Sequence, residues 1–276
     1  MASNMFTKKR IWIPLLLVIY LVGLITYAPA SAIGSIVSAN LPPQIKLQGW
    51  HGSVWNGRID YIESPLPSNS VPLQLYSLSW ELQPSSLLTL SPTLSLQAPA
   101  AQNMISGEAL VTLNLLSQAM YIESANFGGN IAQTISQYKV PSPFNVDGNW
   151  SAEVRDLPLE QCLPAQAQAQ AQAAAAEPSN TNVALTTRGT AIRINQQWID
   201  LQSFNADVAC QNGNLSVTLN PNNTVGLALQ AEIGQRNISL NGSLTPNAQT
   251  PAQIRELLVY LGKPDAQGSY NFQLTL

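Results

Sequence analysis

The chain of 276 residues is 45% apolar and only 10% charged, well under the roughly 25% charged of ordinary soluble domains. Lys8, Lys9 and Arg10 stand together near the N-terminus, leaving nine Lys/Arg against all fifteen Asp/Glu beyond them, a net −6. An acidic chain without Lys/Arg clusters has no electrostatic footprint for phosphates, which argues against binding nucleic acid or anionic lipid surfaces by charge. Its polar surface must come from Ser, Asn, Gln and Thr, a usage that suits an exported or envelope domain.

Residues 11–27, IWIPLLLVIYLVGLITY, are seventeen without a charge, at the lower limit for crossing a ~30 Å hydrocarbon core. The preceding Lys-Lys-Arg keeps the tail 1–10 cytoplasmic, so everything after Tyr27 faces out. Ala30-Ser31-Ala32 also fits a small-x-small cleavage site, the competing reading as a signal peptide. Seventeen apolar residues exceed the usual 7–15 of a signal core and favour a retained transmembrane anchor. Residues 31–40 can form a short helix, with Ile33, Ile36 and Val37 on one side, ended by Leu41-Pro42-Pro43.

From there the apolar period becomes two. Leu73/Leu75, Leu78/Trp80/Leu82, Leu94/Leu96, Val111/Leu113, Trp150/Ala152/Val154, Ile192/Ile194, Leu215/Val217/Leu219, Ile238/Leu240 and Phe272/Leu274/Leu276 predict half-buried strands. Asn56-Gly57, Asn212-Gly213, Pro221-Asn222-Asn223 and Asn241-Gly242 serve as turn punctuation. The fold class is therefore mainly β, antiparallel because the connections are short. Thr250-Pro251-Ala252-Gln253 supplies an N-cap, a first-position proline and a capping-box Gln for one late helix. Ile254, Leu257, Leu258 and Leu261 mark its apolar face, and Gly262 with Pro264 ends it.

An Ala/Gln tract with no apolar stripe fills 165–182 and reads as a linker or insertion. It divides the exported part into a first β half at 28–164 and a second at 183–276. Cys162 and Cys210 flank it, and an even pair outside the cytoplasm predicts one disulfide. His51 is the single histidine, so a His-rich metal site cannot be assembled, and no Gly-x-Ser-x-Gly turn accompanies it. Phosphate loops and dinucleotide fingerprints are absent too, and scattered carboxylates such as Asp60, Glu63 and Glu108 are not paired by sequence alone. The expectation is a non-enzymatic protein with no catalytic residue, cofactor or metal.

The most specific stretch is LQGWHGSVWNGRI at 47–59, in which Gly52, Val54, Trp55 and Gly57 form Gly-x-Val-Trp-x-Gly. Physically this reads as a bent hairpin with a buried Trp55. Trp80 and Pro84 follow in LSWELQP, with Leu87-Leu88 beyond. Gly213-Asn214-Leu215 opens a late strand, and LLVYLGKPDAQGSY at 257–270 contains Leu261, Gly262, Asp265, Gly268 and Tyr270. Taken in order, these segments resemble the type II secretion system protein N family. The resemblance implies a single-pass protein of the bacterial inner membrane whose bulk is periplasmic. It also implies an accessory role in exporting folded proteins across the outer membrane, alongside other secretion components. It supplies no catalytic residue. The alternative is a membrane-tethered, lipid-handling envelope protein with an AsmA-like β groove, in which the alternating apolar residues stay open instead of meeting a second layer.

Overall fold

A computed structural model of the chain describes residues 16–17, 20, 23–24, 26–64, 72–117, 119–137, 144–162, 183–211, 214–234, 238–258, 260 and 262–275. The tail 1–10 and the tract 165–182 lie outside these residues, as does most of the expected anchor over 11–27. Among the described residues no helix is long and apolar enough to cross a membrane.

Helix α1 (Ala30–Asn40) leads into strands β1 (Lys46–Gly52), β2 (Asn56–Ser64) and β3 (Leu73–Leu82), then a 3-10 turn (Pro84–Thr89). Next come β4 (Thr93–Ala98), β5 (Ile105–Leu113), β6 (Met120–Asn130), α2 (Ile131–Gln137), β7 (Asn145–Pro158) and a second 3-10 turn (Leu159–Cys162). The chain continues with β8 (Val183–Ile194), β9 (Gln197–Gln202), β10 (Asn205–Gln211), β11 (Asn214–Leu219), β12 (Leu227–Ile233), β13 (Ile238–Leu244), α3 (Ala252–Leu258) and β14 (Tyr270–Thr275). These strands form one 14-stranded antiparallel sheet in sequence order, with β9 hung on β8 beside the main path.

Period-two alternation gives the sheet two chemically opposite faces. One rung runs from Gly57 through Trp80, Leu96, Ala109, Ala125 and Val154 to Val183. It continues through Val208, Val217, Ala231 and Leu240 to Leu274. Every member is apolar or glycine. The adjacent rung on the other face starts Arg58, Ser79, Gln97, Glu108, Asn126, Glu153. A one-residue slip would exchange the faces, so the hydrophobic pattern fixes the register.

A partial second layer covers the apolar face. Gly34 of α1 lies against the Trp50 ring so closely that an added Cβ would stand 2.6 Å from Cδ2. Trp150 of β7 donates its Nε1–H to Thr134 Oγ1 of α2 at 3.0 Å. Ile254 of α3 is buried among Ile194, Ile199, Leu201 and Val225, and Leu257 packs against the group. A second buried cluster joins Ala109, Ala125, Val154 and Leu157, with Cys162 and Val183 packed against it. Among the described residues no large side chain is fully enclosed, as expected of one sheet with an incomplete cover.

The two halves meet directly, because β7 pairs with β8 from Asn145↔Arg193 to Val154↔Val183. Asn241-Gly242 is no turn but lies within β13, where the Phe272 ring from β14 occupies the space a Cβ would need. Asn56-Gly57 opens β2, and the reversal falls two residues earlier at Val54-Trp55. Thr250 is buried and gives its hydroxyl hydrogen to the Thr224 carbonyl at 3.1 Å, in a polar chain that continues from Thr224 Oγ1 to Leu201 O at 2.9 Å. Leu261 and Gly213 lie outside the described residues.

Candidate functional site

The Gly-x-Val-Trp-x-Gly segment forms a clasp between residues 28–30 and the sheet. Ser53 N–H donates to Asn56 O at 2.8 Å, closing a hairpin whose loop is Val54-Trp55. Ser53 Oγ accepts from Trp55 N–H at 3.3 Å and Asn56 N–H at 3.2 Å, a local hydroxyl turn. Gly52 has φ +89, and a Cβ there would lie 2.5 Å from Asn56 O, so only glycine fits. Gly57 has a different reason: a Cβ would stand 2.5 Å from His51 O and 2.6 Å from Cη2 of Trp80.

The ring that packs on Gly57 at the bend is that of Trp80, from β3. Its Nε1–H donates to Val54 O at 3.1 Å, and its ring meets Trp50 edge to face with centroids 5.7 Å apart. Trp55, at the hairpin tip, is half-buried, as Trp80 is, rather than enclosed. Its carbonyl accepts from Leu82 N–H at 2.7 Å. On the other side Val54 N–H donates to Ala28 O at 3.1 Å, Pro29 bridges to Ser53, and Ala30 is 1% exposed. Gly52, Val54, Trp55, Gly57 and Trp80 thus come together, whereas exposed Pro84 starts the 3-10 turn beyond β3.

Beside the clasp, on the polar face, His51 Nε2 lies 2.7 Å from Asp60 Oδ2, and Arg58 Nε donates to Asp60 Oδ1 at 3.1 Å. The His51 hydrogen bond, with Arg58 behind it, holds the Asp60 carboxyl below its usual range despite some desolvation. An open trough of about 830 Å³ adjoins this group, bordered by Arg58, Ser79, Gln97, Gln102, Glu108 and Asn126. Its lining mixes amide, hydroxyl and two charged side chains with Ala98, Pro99, Ala100 and Phe127. Among the described residues no group of three or more His, Cys, Asp or Glu comes together to hold a metal.

The closing motif sits at the opposite edge of the sheet. Asp265 accepts from Ser269 N–H at 2.8 Å, Gln267 N–H at 3.0 Å and Asn271 Nδ2–H at 3.0 Å. These bonds, that from Ser269 foremost, hold its carboxyl below the usual value. Gly268 takes φ +82 in that turn, Gly262 takes φ +111 after α3, and Tyr270 pairs with Leu244 as β14 begins. This motif is a capped turn that launches the last strand.

Cys162 and Cys210 are bonded, with Cα atoms 4.9 Å apart. The bridge fastens the second 3-10 turn to β10 and covers the Val154/Val183 cluster. Sequence reasoning missed the Trp50–Trp80 pair and the contact with Ala28 and Pro29. The repeated Trp near glycine at 50–57 was the available signal for the first.

The fold and the site define a class: a disulfide-strapped, single-sheet antiparallel β protein organised around turns and glycine–aromatic contacts. The family described as type II secretion system (T2SS), protein N matches residues 43–273, and the chain belongs to that family. Membership gives it an accessory, non-enzymatic role in protein secretion. No curated protein and no solved structure matches the chain.

Proposed function

We propose that residues 11–27 hold the chain in the inner membrane, with 1–10 cytoplasmic and the sheet periplasmic, and that the sheet serves as an assembly surface for other secretion components. The observation that carries this reading is the edge of the meander. Among the described residues strand β14 pairs on one side only, with β13, and its outer backbone edge is the surface proposed to take a strand from a partner. The closing motif at 262–270 is what launches this strand, which links the family's late sequence pattern to the proposed contact. A photo-crosslinker at Gln273 in cells expressing the secretion system should capture secretion subunits. Capture of lipid- or glycan-synthesis proteins alone would sink the proposal.

One observation favours the lipid-handling alternative. On the apolar face, Leu215 and Leu274 are exposed near one end of β11 and β14, beyond the cover that α3 gives Ile194 and Ile199. Mass spectrometry of the purified chain decides: phospholipid retained in stoichiometric amount supports a groove, and its absence removes that reading.

A further inference from the structure

Because the strands alternate in direction, the connections β1–β2, β3–β4 and β5–β6 all leave the sheet at the same end. They are residues 53–55, 83–92 and 114–119, and none contains Asp, Glu, Lys or Arg. They also form a continuous rim: Leu82 N–H bonds Trp55 O at 2.7 Å, Leu113 N–H bonds Pro92 O at 3.1 Å, and Leu115 N–H bonds Leu90 O at 2.9 Å. Across six strands this rim is about 24 Å wide at ~4.8 Å per strand.

The rim is lined by exposed aliphatic side chains. Leu88 is 89% exposed and Leu116 80%, with Leu87, Leu90, Leu115 and Met120 also exposed. Leu90 takes φ +55, a left-handed conformation rare for leucine. At the other end of the sheet exposed apolar side chains stand apart from one another, with Met104 and Phe144 in the β4–β5 and β6–β7 connections, Trp198 within β9 and Tyr260 beyond α3. Scattered exposure is ordinary, but a contiguous uncharged row marks a contact surface.

What covers the row follows from where the rim starts. Val54 bonds the carbonyl of Ala28, the residue after the apolar run 11–27, and Tyr27 N–H still makes a helical bond to Gly23 O at 3.0 Å. The clasp therefore pins one end of the rim at the point where the run ends. A pinned, uncharged, leucine-lined edge offers nothing to phosphate headgroups and suits the boundary between headgroups and acyl chains. We infer that this rim docks on the outer leaflet of the membrane that holds residues 11–27, with Leu87, Leu88, Leu115 and Leu116 entering the acyl boundary. The inference rests on reading 11–27 as a membrane anchor. It gives the sheet a second attachment, stands its strands up from the bilayer, and turns the β14 edge sideways along the membrane.

The test uses the full-length chain, with its native disulfide intact, in nanodiscs of phosphatidylethanolamine and phosphatidylglycerol. Nitroxide labels are placed singly by Leu88→Cys, Leu116→Cys, Met104→Cys and Leu17→Cys, and collisions with oxygen and with a water-soluble nickel chelate are compared. Leu88 and Leu116 are too exposed for a label to disturb packing, and far-UV circular dichroism confirms each fold. The expected result is an oxygen-to-nickel ratio several-fold higher at 88 and 116 than at 104, approaching that at 17. Ratios at 88 and 116 equal to that at 104, with 17 in the bilayer, overturn the docking and leave the anchor standing. Labels at 88 and 116 shielded from both reagents mean a protein contact and equally overturn it. An aqueous label at 17 means that the anchor reading has failed, and the docking with it.

Discussion

Gly57→Ala tests the clasp most directly. The new methyl would stand 2.5 Å from His51 O and 2.6 Å from Trp80 Cη2, where carbon contacts relax to about 3.5–4.0 Å. The backbone carbonyl belongs to the paired strand β1 and cannot yield, so the Trp80 ring must retreat by about 1 Å. That movement stretches the 3.1 Å bond from Nε1 to Val54 O and opens the edge contact with Trp50. Overpacking costs about 1–3 kcal/mol, the hydrogen bond about 1 kcal/mol and part of the aromatic pair about 0.5–1.5 kcal/mol. These effects overlap, and a net loss of about 3 kcal/mol is expected. For the full-length chain in detergent, with an m-value of about 2 kcal/mol/M, the urea midpoint followed by tryptophan near-UV circular dichroism falls by about 1.5 M. In a Trp80→Leu background the same substitution should cost less by about 1–2 kcal/mol, since the ring clash is gone while the carbonyl clash remains. An unchanged midpoint, or strictly additive costs, would refute the contact between Gly57 and Trp80 as the reason for glycine.

Removing the bridge by Cys162→Ser with Cys210→Ser should destabilise by roughly 4 kcal/mol in the chain-entropy model for a separation of 48 residues. The melting temperature should drop while the β signal persists below it, because β7 and β8 remain paired. Ile254→Ala should cost about 2–4 kcal/mol by opening a cavity among Ile194, Ile199 and Val225, read as a shifted urea midpoint with no change in the disulfide. Asp265 has a folded pKa below its usual 3.8, so its contribution is fully present above the unfolded value and is lost as pH falls through the folded one. Protection of the Ser269 amide should decline on acidification below about pH 3.8, and Asp265→Asn should make it pH-independent. A C-terminal alkaline phosphatase fusion should be active in cells, and a stable but inactive full-length fusion would overturn the proposed topology.

Much of the sheet was legible because both faces obey a period of two. The alternation at Leu78/Trp80/Leu82, Trp150/Ala152/Val154 and Leu215/Val217/Leu219 became β3, β7 and β11. Strand β6 was not legible, since its inward positions include Ala125 and Gly129 and carry little hydrophobic signal. In β12, Ala228 blurs the alternation of Leu227, Leu229 and Ile233. Strands β9 and β10 were not legible either, one ending at Gln202 and the next beginning at Asn205.

At the candidate site, local sequence identified the bend but not the Trp80 ring that packs on Gly57. Gly52 declares itself through the tight reversal, which any chain must make with a residue tolerant of positive φ. Gly57 and Gly242 do not, because the rings of Trp80 and Phe272 that fill their places come from strands 23 and 30 residues further on. The sequence by itself determined the two-faced strands, the α3 helix, the cysteine pair and the family, all properties of neighbouring residues or of a linear pattern. Only the tertiary structure decided that the two halves form one sheet, that the Trp80 ring packs on Gly57 at the hairpin, and that uncharged leucines from two separate turns share one rim. Each of these depends on the register between strands, and register is set by the whole apolar face at once rather than by any segment of it.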